Sequence, residues 1–188
     1  MTSIWAASLS RHCDAALDLL AAALRDCPDD LWAARMWAVP ADVFGPAPPG
    51  PDGTPVTDPA ARHALAQRRA TPWSVAWHAL ETLDYDLTGE FGAWAPPPPF
   101  AGHPHWRLTR LPAPWPRAAL LGYLAYCRQR ARDTLAGLTD EQAATPLPQA
   151  HRYCGQPHAW ILTSAVGHTI EHAAQIRQFI TGARLASG

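Results

Sequence analysis

The sequence predicts an all-α protein, a four-helix bundle whose helices are joined by long proline-rich connections. Three observations carry that prediction. Apolar residues recur at helical spacing in four long segments, each bounded by a capping residue, a proline or a glycine. The 188 residues are 48% hydrophobic and 16% charged, which suits one folded domain over 1–188 with a sizeable core. A repeat of about 20 to 50 residues or a heptad run would point to a solenoid or a coiled coil, and neither is present.

The first long helix is expected from Thr2 or Ser3 to Arg25, with Pro28 beyond its end. Its apolar stripe is Trp5, Leu9, Ala16, Leu19 and Ala23, and His12 falls within it, as a pocket residue or, preferably, a hydrogen-bonded core histidine. A short helical turn at Asp30 to Met36 precedes VPADVFGPAPPGPDGTPVTDP, which is too rich in Pro and Gly for regular structure. Asp58 before Pro59 starts a short helix to about Arg69, and Thr71 before Pro72 starts the second long helix, to about Leu87, with Gly89 stopping it. On that helix Trp73, Ala76, Leu80, Leu83 and Leu87 form one face and Ser74, His78, Thr82 and Tyr85 lie roughly opposite, so both faces are expected to be buried.

The connector from Glu90 to Pro116 carries Trp94, Phe100, His103, His105, Trp106 and Trp115. Its four consecutive prolines favour an extended polyproline segment, and its aromatics are expected to pack over the bundle or line a pocket mouth. The third long helix spans Pro116 to Ala136, with Gly137 as C-cap and Leu120, Leu121, Leu124, Cys127, Ala131 and Leu135 facing inward. A short helical turn at Thr139 to Ala144 follows. The fourth runs from near Pro157 to Gly182, with Ile161, Ser164, Ala165, His168, His172, Gln175, Ile176 and Phe179 as its buried stripe.

Composition excludes several functions. The fifteen basic side chains are all arginine, as in the codon bias of a GC-rich genome, and the net charge is −1. Arg128, Arg130 and Arg132 stand beside Asp133 and read as a solvated helix face, so no nucleic-acid partner is expected. Arg11, His12, Asp14 and Asp18 interrupt the first apolar stretch, which is neither a signal peptide nor a membrane span; a cytoplasmic protein without membrane association is expected. Cys13, Cys27, Cys127 and Cys154 show no C-x-x-C spacing and read as idle thiols in a reducing compartment.

The residues that point to chemistry are histidines. His168 and His172, in GHTIEHAAQI, stand at i and i+4 and therefore stack on one helix face, where two imidazoles can share a metal ion. His78, in WSVAWHALETLDYDLTG, is the candidate third ligand from another helix. His103 and His105 are set aside as ligands because metal sites in bundles are built from side chains fixed on helices. Three neutral imidazoles suit zinc, nickel or iron, and a fourth position left open would let the ion acidify water or a thiol near neutral pH. Each ligand imidazole needs an acceptor for its other N–H, for which Glu171, Gln175, Glu81 and Tyr85 are candidates. Glu171 could also act as a general base, although an outer or solvent-facing role is preferred because the spacing is not that of H-E-x-x-H.

One histidine on an early helix, a proline-rich connection, a helix ending near LAGLTDEQAATPL and a His-x-x-x-His pair on the last helix together resemble the DinB-like (YfiT-like) superfamily of metal-binding four-helix bundles. The resemblance covers nearly the whole chain in order. It implies four antiparallel helices with a long crossover, His78, His168 and His172 as ligands, and assembly as a homodimer. It also implies one of two functions. One is a metal-dependent thiol S-transferase or hydrolase acting on a small molecule, with a low-molecular-weight thiol such as bacillithiol or mycothiol as cosubstrate. The other is a noncatalytic metal-binding bundle acting in stress response as an interaction or structural protein. Some mycothiol-using relatives, among them a maleylpyruvate isomerase, carry an additional C-terminal domain that this sequence does not show, which argues against isomerisation.

Overall fold

Side-chain periodicity becomes six helices in the computed structural model, which describes residues 3–39, 58–88, 94–101, 113–149, 151 and 153–187. They are α1 (Ile4–Asp26), α2 (Pro59–Arg69), α3 (Pro72–Leu87), α4 (Arg117–Gly137), α5 (Asp140–Ala144) and α6 (His158–Ser187). Local chemistry sets several of the ends. Asp58 accepts from the Ala60 and Ala61 amides at 3.1 Å each, satisfying two otherwise orphaned donors of α2. Thr139 and Gln142 form a reciprocal capping box on α5. Helix α1 stops at Cys27, whose extended backbone is what the following Pro28 demands.

The four long helices share one core. Helices α1 and α3 each pack against both α4 and α6, and touch one another only slightly. Cross-links fix the directions. Arg117, at the start of α4, reaches Asp29 beyond the end of α1, while Arg132 meets Asp14, so α1 and α4 are antiparallel. His78 meets His168 and His172, whereas Asp86 lies beside His158, so α3 and α6 are antiparallel too. Helices α3 and α4 run the same way, Leu80 facing Cys127 and Trp77 facing Trp115 just before α4 begins. Two parallel neighbours require a connection along the bundle's length, and the described parts of the chain between them, 94–101 and 113–116, pack on the bundle through Trp94, Phe100 and Trp115. That parallel pair departs from the expected all-antiparallel arrangement and accounts for the long crossover.

Buried Leu17, Leu20, Leu24, Trp73, Trp77, Leu80, Leu83, Leu120, Leu162 and Ile176 form the centre of the core. Trp77 packs on Trp73, Phe100 and Trp115, so the crossover is nailed to the helix that carries His78. Its four prolines do not form one extended rod: the Phe100 amide bonds back to Pro97 at 2.9 Å in a tight turn that delivers the Phe100 ring, 1% exposed, into the core. Burial of that ring stabilises the turn by more than an exposed polyproline segment could gain.

Other expectations need correction. Leu19 and His12 are exposed; the buried side of α1 is centred on Cys13, Leu17, Leu20 and Leu24, a rotation that a row of alanines cannot reveal. Asp30–Met36 forms turns rather than a helix. Helix α4 continues through Gly137, with Leu138 as its cap, and α6 passes Gly182 to Ser187. The arginines of α4 are not simply solvated: Arg128 pairs with Asp14 and Asp18, Arg132 with Asp14, and Arg130 with the buried Asp84. No helix among the described residues is long and apolar enough to cross a membrane.

Candidate metal centre

Helix α3 is buried almost all round, including Ser74, Glu81, Asp84 and Asp86. His78 is among its few half-exposed side chains. The register of α6 places Leu162, Ala165, Thr169, Ala173 and Ile176 in the core, and His168 and His172 one step around the helix at the edge of the buried stripe. All three imidazoles are therefore half-buried, fixed on rigid helices yet open on one side.

One ring nitrogen from each lies within 4.8 Å of the others, the only such three-residue group of His, Cys, Asp or Glu among the described residues. The His168 and His172 Nε2 atoms are 3.0 Å apart, and ring centroids lie 5.0 Å from His78 to His168 and 5.3 Å from His78 to His172. Ligand nitrogens at tetrahedral zinc sit roughly 3.4 Å apart, from Zn–N bonds of about 2.0–2.1 Å. The His168/His172 pair is already near that separation, and the nitrogens of the whole group, within 4.8 Å of one another, must draw together to share one ion. The three rings pack edge to face, and one nitrogen from each lies in the space they share.

Hydrogen bonds fix the tautomer of His172. Gln175 Nε2 donates to the Glu171 carboxylate at 3.1 Å, and since a carboxylate only accepts, the amide oxygen of Gln175 must face the other way. That oxygen stands 2.7 Å from His172 Nδ1, which is therefore the protonated nitrogen. Nε2 keeps its lone pair for the shared centre and accepts from His168 Nε2–H. Binding an ion there takes the place of the proton between the two nitrogens, so His168 ligates as the tautomer that carries its N–H on Nδ1.

The remaining expectations divide. Gln175 is the direct acceptor for His172; exposed Glu171 acts on Gln175 rather than on an imidazole. Glu81 is one turn from His78 and fully buried. Tyr85 lies two turns from His78 and packs on Trp94 and His151, away from the centre. His103, His105 and Trp106 lie outside the described residues, and exposed His12 takes no part in the group.

Sequence reasoning missed the buried carboxylate cluster nearby. Asp84, 0% exposed, accepts from Trp94 Nε1 at 2.9 Å and Tyr123 Oη at 3.0 Å and pairs with Arg130 at 3.1 Å. Burial raises its pKa, and Arg130 and the two donors pull it back. Its signal was an acidic residue on a helix expected to be buried on both faces. No family model, no curated protein and no solved structure matches the chain.

Proposed function

We propose that this protein is a divalent-metal-dependent enzyme in which His78, His168 and His172 hold one ion of zinc, nickel or iron, and that it carries out thiol S-transfer or hydrolysis on a small molecule. The observation that carries this reading is the convergence of three imidazole nitrogens from two helices within 4.8 Å, with the His172 tautomer already set for ligation. The three-member group leaves coordination room, and such an ion supplies Lewis acidity that lowers the pKa of water or a thiol. The protein's own part is to hold three imidazoles on rigid helices, keep Nε2 of His172 unprotonated through Gln175, and leave one side open. Thiol transfer is favoured by the likeness of the His78 and His168/His172 segments to DinB-like bundles. A homodimer is part of the proposal, because Trp160 and Ile170 stand exposed on α6.

The test begins with metal analysis of the purified protein, expected to find about one divalent ion per chain. His168→Ala and His172→Ala should abolish retention while leaving the helical signal intact. The loaded protein is then offered low-molecular-weight thiols with electrophiles, and an ester and amide panel. Full metal content in the double alanine variant would refute the centre, and metal-loaded protein inert across the whole panel would refute the enzyme reading. Light scattering that gives the 20.4 kDa monomer at micromolar concentration would reject the dimer.

A further inference from the structure

Residues 35–39, just after the turns that follow α1, are clamped onto α2. The Met36 amide bonds to Ala70 O at 2.8 Å, Gln67 Nε2 donates to Val39 O at 3.2 Å, and Arg35 donates to Gln67 Oε1 at 2.6 Å. The clamp holds Trp37 with 41% of its surface exposed, a costly position for an indole that packing alone would turn inward.

Opposite Trp37 runs the last third of α6, and a groove of about 510 Å³ lies between them. Met36 and Trp37 form one wall; Gln175, Gln178, Phe179 and Gly182 form the other. None of the lining side chains carries a charge. Gly182 is an interior glycine of a long helix, which costs about 1 kcal/mol relative to alanine. No neighbour requires it, because a Cβ built there meets nothing within 4 Å. Its effect is to leave the floor of the groove open. A groove lined by an indole, a phenyl ring, a thioether and two glutamines, without charge, is the chemistry that takes a planar, uncharged aromatic molecule.

Gln175 belongs to this groove and to the histidine centre at once. It touches His172 at Nδ1, the ring edge away from the nitrogen shared with His168, so the groove lies behind the ligand rather than over the open side of the centre. We propose that this groove is a second ligand site, for a planar uncharged aromatic molecule, and that Gln175 couples its occupancy to the metal affinity of His172. The coupling rests on the three-histidine reading above; the groove does not.

The probe is 2-naphthamide, titrated calorimetrically into metal-free protein and again into zinc-loaded protein. Binding to the metal-free protein is expected, and Gly182→Leu and Trp37→Ala should each weaken it about tenfold or more. Gly182→Leu adds helix propensity and its Cβ enters open space, and an unchanged thermal midpoint of the variant separates loss of binding from unfolding. Zinc affinity should change in the presence of the probe by the same factor by which zinc changes probe affinity. No binding, or binding indifferent to both substitutions, overturns the site whatever the metal does. Probe binding that leaves zinc affinity unchanged overturns the coupling. A protein that takes no zinc removes the metal reading and the coupling together, while the metal-free titration still decides the groove.

Discussion

Replacing Gln175 by leucine removes the acceptor of His172 Nδ1–H and leaves a side chain of similar size and helix propensity. In the native arrangement the 2.7 Å bond, backed by the Gln175 to Glu171 bond at 3.1 Å, makes His172 the tautomer whose Nε2 can ligate. Without it the proton is free to sit on either nitrogen, the ring is free to turn about χ2, and the imidazole is less basic. Loss of such an outer hydrogen bond lowers metal affinity about 10- to 100-fold, or roughly 1.4 to 2.7 kcal/mol. Glu171→Gln, one bond further out and solvent-exposed, should cost less, about threefold or below. The assay is zinc competition against a chromophoric chelator at fixed pH, with the thermal midpoint of the metal-free proteins as control. Gln175→Glu keeps an acceptor at the same place and should retain affinity that Gln175→Leu loses. Should Gln175→Leu hold zinc within about twofold of wild type while His168→Ala loses it, the tautomer argument fails even though the centre stands.

Three further outcomes follow from the packing. Asp84→Ala leaves the hydroxyl of the buried Tyr123 and the indole N–H of Trp94 without their acceptor, and should cost about 1 to 3 kcal/mol in urea unfolding; a loss below about 0.5 kcal/mol would deny that this cluster ties the crossover to the bundle. Of the four cysteines, only exposed Cys154 should react with an aromatic disulfide reagent in the native state near pH 8, because burial pushes Cys13 up to about 11, Cys127 well above its ordinary value and Cys27 upward; rapid reaction of two or more thiols would contradict the fold. His158 is lowered by burial, with the Asp86 backbone carbonyl opposing, so its neutral form favours the folded state: the contribution is present above the unfolded value of about 6.5 and is lost as pH falls through the folded value. His158→Gln should flatten that part of the acid-side decline in urea midpoint, and an unchanged pH profile would discount the residue.

How much was legible follows from which forces act locally. Caps and prolines announced α2, α3 and α5 because Asp58, Pro59, Pro72 and the Thr139/Gln142 pair act within one turn of the chain. The His168/His172 pair was legible for the same reason, since i and i+4 share a helix face without reference to any neighbour. That His78 completes the group is a tertiary fact, which the sequence supported only through resemblance. The exact rotation of α1 was illegible because alanine is tolerated on either face, and only contact with α4 and α6 decides between Leu19 and Leu17. Polyproline preference misjudged residues 97–100 because a single phenyl ring seated on Trp77 and Trp115 outweighs a weak backbone bias.

The polar content of α3 shows why the centre is placed where it is. A helix carrying Ser74, Glu81, Asp84 and Asp86 inside the bundle has a desolvation cost at every one of them, offset only by partners held in register. Asp84 obtains those partners from Trp94 of the crossover and from Tyr123 and Arg130 of α4, which fixes the rotation and height of α3. His78 lies less than two turns away on the same rigid helix, so its distance to α6 is set by the same interactions. A substitution at Asp84 therefore acts on the centre without touching it. Asp84→Asn, milder than alanine because one donor keeps an acceptor, should leave the protein folded yet weaken zinc binding by misplacing His78 against His168 and His172, since three imidazoles must reach one ion at bonding distance together. Unchanged zinc affinity in a measurably destabilised Asp84→Asn protein would show that α6 alone positions the ion.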